Sequence, residues 1–258
     1  MGTIRNNDTN MISITDVEFC RGSSESPNEM PVSKVILSAF LIDRYPVTNK
    51  AFKAFIKAGG YSNQRFWIPQ GWEYIKANKI NTPLYWDDPK WNAPDHPVTG
   101  VSWWEASAFA CFKGKSLPSE AQWECAARGV DERRYPWGNA PADATRANFA
   151  VECEPDALLR ASTPVDRYAD GVSPYGCLDM AGNVGEWCID NASADYSWDL
   201  TRQDPLYLTE VEEEHILRGG SGLHSDDYLR CSSRDYYPPG VRDNIVGFRC
   251  VIAISDGN

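Results

Sequence analysis

The first fifth of the chain alternates apolar and polar residues over short stretches. Ile12 and Ile14 are separated by a polar residue, and a second apolar run lies at 35–37. The segment between them, 23–31, is rich in serine, glutamate and proline. Alternation of this kind indicates strands with one buried face, and serine and proline favour loops. The pattern therefore predicts short strands around a loop within residues 12–47.

Three later segments carry helix-start signals. Thr48 precedes apolar residues at helical spacing, as an N-cap does. Ser102 with Glu105, and Ser119 with Gln122, have the spacing of a capping box, in which each side chain binds the other residue's backbone N–H. Glycines stand where each helix should end, at 59–60, 114 and 129. Three short helices are predicted.

Residues 61–92 form an insertion rich in tryptophan, tyrosine and proline. Neither helical nor strand periodicity persists in it, so the pattern predicts an irregular loop that either roofs a pocket or covers core. Beyond residue 130, turn residues recur and no long helix is predicted. With no linker to divide it, the chain is expected to form one domain over 1–258, of the α+β class, with few short strands, peripheral helices and little regular structure.

Composition narrows the partners. The 258 residues carry a net charge of −11, from 36 acidic and 25 basic residues. No basic cluster interrupts the acidic surface, so neither nucleic acid nor membrane is an expected partner. No apolar run approaches the roughly eighteen residues of a membrane span. The first dozen residues also lack the apolar core of a signal peptide, which favours a cytoplasmic location, although a mature form stripped of its signal would look the same.

The eight cysteines form no C-x-x-C pair. This spacing excludes zinc fingers and the thioredoxin-type redox motif. In a reducing compartment most of these thiols are expected to be buried small apolar groups.

The segment 175–187 carries the most distinctive candidate chemistry. Asp179 and Glu186 flank a Gly182-Asn183 turn, so a loop there could direct both carboxylates and the intervening carbonyls at one cation. Ligands that are all oxygen favour calcium over a redox metal. The alternative is an ordinary turn with two solvated acids.

The same segment belongs to a series of motifs in a fixed order. They are YPVTN at 45–49, HPVTGVSW at 96–103, LPSEAQWE at 117–124, YPWG at 135–138, LDMAGNVGEW at 178–187, RGGS at 218–221 and GFR at 247–249. Together they resemble the formylglycine-generating enzyme, or sulfatase-modifying factor, family over roughly residues 12–254. That resemblance implies a C-type-lectin-like fold.

The resemblance also implies metal ligands. The family's structural calcium site corresponds to Asp179, Gly182, Val184 and Glu186, the glycine and valine contributing carbonyls. A second, weaker calcium site corresponds to Asn148 and Phe149, with Asp156 as the nearest acidic candidate.

Two features depart from the family pattern. Members that make formylglycine bind copper with cysteines three and eight residues after the RGGS serine, where this chain has His224 and Leu229. The copper route to formylglycine is therefore not expected. The second departure is Gly185, where the family usually has tryptophan; the smaller residue either opens a cleft or alters packing.

His224, Ser221 and Asp235 are the predicted catalytic residues. With Asp226 and Asp227 nearby, His224 could complete an imidazole-carboxylate set for iron or another non-haem metal, with copper as the further possibility. The alternative is a histidine that only makes a surface hydrogen bond.

Two functions follow from the resemblance. The first is an oxygen- or non-haem-metal-dependent oxidase acting on a small molecule or peptide. The second is a non-catalytic, lectin-like binding module, and a subunit that partners another protein is a third possibility. Five aromatic residues are the predicted substrate pocket or recognition surface, since aromatic faces suit many ligands: Trp67, Trp72, Trp103, Tyr236 and Tyr237.

Overall fold

The computed structural model describes residues 10–150, 162–199, 202–209 and 213–254. Its strands are short, as the alternating pattern predicts. They are β1 (Met11–Ile14), β2 (Val17–Arg21), β3 (Ser33–Leu37), β4 (Phe40–Asp43), β5 (Gly185–Asn191), β6 (His215–Arg218), β7 (Arg234–Tyr237), β8 (Val246–Gly247) and β9 (Val251–Ala253).

These strands form three small sheets. In the first, β1, β4 and β9 pair antiparallel in the order β1-β4-β9, so a strand from the end of the described chain joins two from its beginning; in the second, β2 pairs with β3. The third has the order β7-β6-β5-β8, with β5 and β8 parallel and the other pairs antiparallel. Because β8 comes from near the chain's end, this sheet brings residues from 185, 217, 235 and 246 together.

The three predicted helices are present. Thr48 Oγ1 accepts the Ala51 N–H at the start of α1 (Asn49–Lys57). Both capping boxes form, at Ser102 before α3 (Trp103–Phe112) and at Ser119 before α4 (Glu120–Arg128). Each box satisfies backbone donors that a helix start would otherwise leave without partners.

The prediction of an irregular insertion was wrong in part. Helix α2 (Pro69–Ala77) lies within 61–92 and begins with its proline at the first turn. Proline is tolerated there because that N–H has no partner in the helix. Gly71 lies against Trp104 of α3, where an added Cβ would be 3.1 Å from the Trp104 Cβ, so α2 packs closely on α3.

Two large apolar clusters fill the interior. One joins α1, α3 and the insertion through stacked rings such as Phe52 and Phe109, whose centroids are 5.3 Å apart. The other joins the early strands, α4 and the sheet that contains β5. In the described part of the chain, five cysteines are buried, Cys20 is half-buried and Cys111 is exposed, while Cys153 lies outside it. The prediction of mostly buried thiols is thus confirmed there.

The observed architecture is α+β with little regular structure, as predicted. None of the helices within the described ranges has the length and apolar character needed to cross a membrane.

Candidate functional site

A narrow cleft opens over the four-stranded sheet. The space in and above it amounts to about 320 Å³ with open solvent included, and only about 10 Å³ of it is wide enough for the centre of a water molecule. Residues of all four strands and of the β6–β7 connection line it: Gly185, Leu217, Arg218, Gly219, Gly220, His224, Tyr228, Ser233, Asp235, Tyr237, Ile245 and Val246.

His224 lies at this cleft on the connection between β6 and β7. Its Nδ1 is 2.9 Å from the hydroxyl oxygen of Ser221, which is fully buried and also accepts the Leu223 N–H. The imidazole stacks on the Tyr228 ring, with centroids 4.6 Å apart. Burial lowers the pKa of His224, although the negative charge of Asp235 opposes this. The histidine is therefore neutral at pH 7 and has one nitrogen able to accept a proton.

Both ends of the loop that carries His224 are anchored to one buried carboxylate. At the start, Arg218 Nη1 lies 3.3 Å from Glu120 Oε1; at the end, Arg234 Nε donates to the same oxygen at 2.7 Å. Arg218 also donates to Glu124 Oε2 at 2.7 Å. Within the loop, Gly220 has a φ of 66° and passes so close to Tyr228 that a Cβ would be 2.9 Å from its carbonyl oxygen. A glycine is required there, and the loop is held tightly.

Among the other predicted catalytic and pocket residues, Asp235 and Tyr237 line the cleft on β7. Tyr236, between them, points to the other face and is 46% exposed, as strand alternation requires. Trp67 and Trp103 are buried in the α1/α3 core, where the Trp103 ring stacks on that of His215, with ring centroids 3.8 Å apart. Trp72 is half-buried against the same core. The structure therefore does not gather the five aromatic residues into one surface.

Several cleft residues carry no signal that sequence reasoning could use. Leu217, Ile245 and Val246 supply apolar walls from three separate chain segments, and only strand pairing shows that they meet. Tyr228 is the exception, because its position four residues after His224 in one loop could have suggested contact.

The predicted calcium loop forms the expected turn. Asp179, Gly182 and Asn183 all have positive φ, at 55°, 74° and 63°. A Cβ on Gly182 would lie 2.3 Å from the Asn148 carbonyl oxygen, so glycine lets the two predicted calcium segments meet. Asn183 joins them: its N–H donates to the Asn148 carbonyl at 2.8 Å, and its Nδ2 donates to Asp179 Oδ2 at 3.1 Å. Asp156 lies outside the described residues, and Phe149 is buried in a small apolar cluster.

Asp179 and Glu186 differ in how well they fit a calcium ion. Asp179 is buried, and within the described ranges its carboxylate accepts one hydrogen bond, from a neutral amide. Because burial disfavours the charged form, the pKa of Asp179 is raised to about 7. A hard cation would relieve that cost. The fully buried Glu186 instead binds Arg249 through both oxygens, at 2.6 and 2.7 Å, and also accepts the Trp123 indole N–H. Because Arg249 already neutralises it, Glu186 does not fit as a calcium ligand in this arrangement.

A redox metal finds no matching donor set in the described part of the chain. No group of three or more histidine, cysteine, aspartate or glutamate side chains is arranged there to hold an ion. Asp227 is drawn toward Arg134, whose Nη2 is 3.4 Å from its carboxylate, and Asp226 is exposed. The imidazole-carboxylate set predicted around His224 is therefore not assembled in these residues.

Known proteins resemble this chain along its length. Formylglycine-generating enzyme of Thermomonospora curvata is 36% identical over 263 residues, covering 86% of this chain and 84% of that protein. Serine/threonine-protein kinase pkn1 of Chlamydia pneumoniae is 36% identical over 94% of this chain but only 38% of its own length. Hercynine oxygenase of Mycolicibacterium thermoresistibile is 35% identical over 86% of this chain and 52% of its own.

Solved structures confirm the fold. Treponema denticola variable protein 1 aligns with a TM-score of 0.70 at 22% identity over 95% of both chains. PvdO from Pseudomonas aeruginosa aligns with a TM-score of 0.69 at 21% identity, over 95% of this chain and 94% of its own. These likenesses show the predicted C-type-lectin-like fold and nothing of function. Residues 2–254 match the family model described as the sulfatase-modifying factor enzyme 1-like domain. The chain belongs to this family, which includes the formylglycine-generating enzymes.

Proposed function

We propose that this protein is an oxidoreductase acting on a small molecule or peptide in the His224 cleft, by a route other than copper-dependent formylglycine synthesis. One observation carries the proposal: His224, held by Ser221 and Tyr228, lines a cleft where the copper pair would need two cysteines. His224 and Leu229 replace that pair. The name hercynine oxygenase, borne by one relative, supports oxidation as the class of reaction.

The chemistry assigned to His224 is proton transfer. When its Nδ1–H donates to Ser221, the other ring nitrogen is free to accept a proton from a bound O–H, N–H or activated C–H. In the overall reaction the substrate loses two electrons and two protons to dioxygen, which becomes hydrogen peroxide. The lowered pKa keeps His224 in its basic form at pH 7, and the anchored loop fixes its position.

The test identifies the substrate and the role of His224 together. A metabolite and peptide library is screened for compounds that raise the melting temperature, and each is then followed with an oxygen electrode and a peroxide assay. We expect wild type to consume oxygen with at least one of them, and His224→Gln, if folded, to lose at least about a hundredfold in rate, as when a general base is removed. Equal rates in the two proteins would refute the role of His224.

A non-catalytic binding module is the second candidate. Tyr228 and Tyr237 bring two aromatic side chains to the same cleft, and such side chains bind ligands without any chemistry. The same screen separates the candidates, because a module would give compounds that stabilise the protein without oxygen uptake.

We also propose that a structural calcium ion binds beside Asp179. The buried carboxylate and the approach of the Asn148 segment support this. Calcium would neutralise the Asp179 charge and stabilise the turn. It lies outside the proton-transfer chemistry.

A further inference from the structure

Gly185 is a glycine that the backbone does not require. It begins strand β5, is buried and does not have a left-handed φ. An added Cβ would meet only the carbonyl oxygens of Gly220 and Ile245, both at the ordinary contact distance of 3.7 Å. Glycine weakens a strand relative to residues with side chains. The glycine therefore leaves volume unfilled at this position, and that volume is part of the cleft.

The inner part of the cleft suits an apolar group. Leu217, Ile245 and Val246 line it beside Gly185, and Leu217 and Val246 are almost completely buried. A ligand segment that reached this region would leave water for apolar contacts, which is favourable in proportion to the area buried.

Negative charge dominates the cleft. Asp235 is half-buried, and its recorded hydrogen bond in the described ranges is to a backbone N–H, that of Tyr236. Asp235 and Asp243 both act electrostatically on His224. The cationic side chain that lines the cleft, Arg218, is fully buried and bound by two glutamates. Among the described residues, the charge at the cleft that has no ion-pair partner is therefore that of the Asp235 carboxylate.

We infer that Gly185 determines the ligand specificity of this cleft by admitting an apolar segment, and that Asp235 selects ligands whose other end is a protonated amine. The amine would meet the Asp235 carboxylate in a cleft that Tyr228 and Tyr237 also line, and aromatic rings attract cations. The inference rests on the proposed function for the identity of the cleft and names the class of ligand it takes.

Three compounds of one shape test the inference: benzylamine, benzyl alcohol and benzoate. Their dissociation constants are measured by NMR titration with wild type, Gly185→Ala, Gly185→Leu and Asp235→Asn. Wild type should bind benzylamine in preference to the other two. The Gly185→Leu variant should bind benzylamine at least about tenfold more weakly than wild type, because the leucine fills the cleft. The variant should keep the melting temperature of wild type.

The charge is tested separately. Asp235→Asn should weaken the binding of benzylamine about tenfold and that of benzyl alcohol much less, since only the protonated amine forms an ion pair with the carboxylate. Asp170→Asn, an equal loss of charge at an exposed residue away from the cleft, is the matched control. Gly185→Ala should retain or raise the melting temperature, which separates loss of space from loss of fold.

Three results would overturn the inference: no benzylamine binding by wild type, undiminished binding by folded Gly185→Leu, or equal effects of Asp235→Asn and Asp170→Asn. The titration involves no turnover. A protein that binds these amines as expected but consumes no oxygen with any compound would retain this inference and lose the proposed oxidoreductase.

Discussion

Replacing Glu186 by glutamine should be among the most damaging single changes in this protein. Arg249 lies fully buried, and in the described part of the chain both of its links to a carboxylate run to Glu186. Glutamine keeps the shape and can still accept the Trp123 N–H. It cannot neutralise the guanidinium, and its amide N–H groups would face donors.

The magnitude follows from the charge left behind. Removing one partner of a buried ion pair typically costs about 3–5 kcal/mol, because the remaining charge stays out of water. For a chain of this size each kcal/mol lowers the melting temperature by about 2–4 °C, so a fall of about 6–20 °C is expected. Glu186→Gln combined with Arg249→Met should lose less than the sum of the single changes, with a coupling of about 2 kcal/mol or more.

The assay is urea and thermal unfolding followed by circular dichroism on wild type, both single variants and the double variant. Glu18→Gln is the control, because Glu18 pairs with Lys34 at 2.9 Å on the surface and both side chains are more than half exposed. It should have little effect, since solvent screens the pair. If Glu186→Gln lowers the melting temperature no more than Glu18→Gln does, or if the losses of the two single variants add up to that of the double variant, the buried pair does not stabilise this region.

Three further predictions concern other parts of the fold. Ser119→Ala removes the side chain that accepts the Gln122 N–H at 3.1 Å and should cost about 1 kcal/mol in urea unfolding, whereas an unchanged midpoint would contradict the cap. Burial raises the pKa of Asp190 from 3.8 to about 7, so the folded state holds this proton to higher pH than the unfolded chain. Wild type should therefore lose stability relative to Asp190→Asn as the pH rises from about 4 to about 7, by at most about 1.4 kcal/mol per pH unit, and a constant difference would refute this. Elemental analysis should find calcium, and calcium at a hundred times its dissociation constant should stabilise wild type by about 2.7 kcal/mol. Glu186→Gln should keep that response and Asp179→Asn should lose it; the reverse pattern would assign the ion to Glu186.

The helix starts were predictable because each depends on residues three apart. The capping boxes at Ser102 and Ser119 need no knowledge of the rest of the fold. Helix α2 was missed because Pro69 signals a break when the surrounding pattern is weak, although proline also begins helices. What holds α2 is its close packing on α3, which is a tertiary contact.

The sequence indicated only some of the residues that line the candidate cleft. His224 lies three residues after Ser221 in sequence, but only the pairing of β6 with β7 shows that Asp235 lines the same cleft as His224. The pairing of Glu186 with Arg249 joins residues 63 apart, and no local pattern distinguishes a carboxylate that binds calcium from one that binds a guanidinium. Likewise, the residue type alone allowed Trp67 and Trp103 to line a pocket. Their burial in the core follows from how the helices and strands pack, which the sequence does not show.

Buried arginines explain how a fold with so little regular structure holds a defined cleft. Loop carbonyls lack the partners that a sheet or helix supplies, and leaving them unpaired in the interior is costly. Arg218 donates to the carbonyls of Ser232 and Cys231, and Arg234 donates to those of Asn28 and Ser193.

Glu120 completes this arrangement, because it pairs with both arginines, while Glu124 supplies a second negative charge to Arg218. These two arginines flank the segment 219–233, which contains His224 and Tyr228. The buried arginines that give the loop's carbonyls hydrogen-bond partners therefore also fix the position of His224. A mobile loop of about fifteen residues would have to lose much more conformational freedom on binding a ligand, so the buried charges contribute to function through pre-organisation.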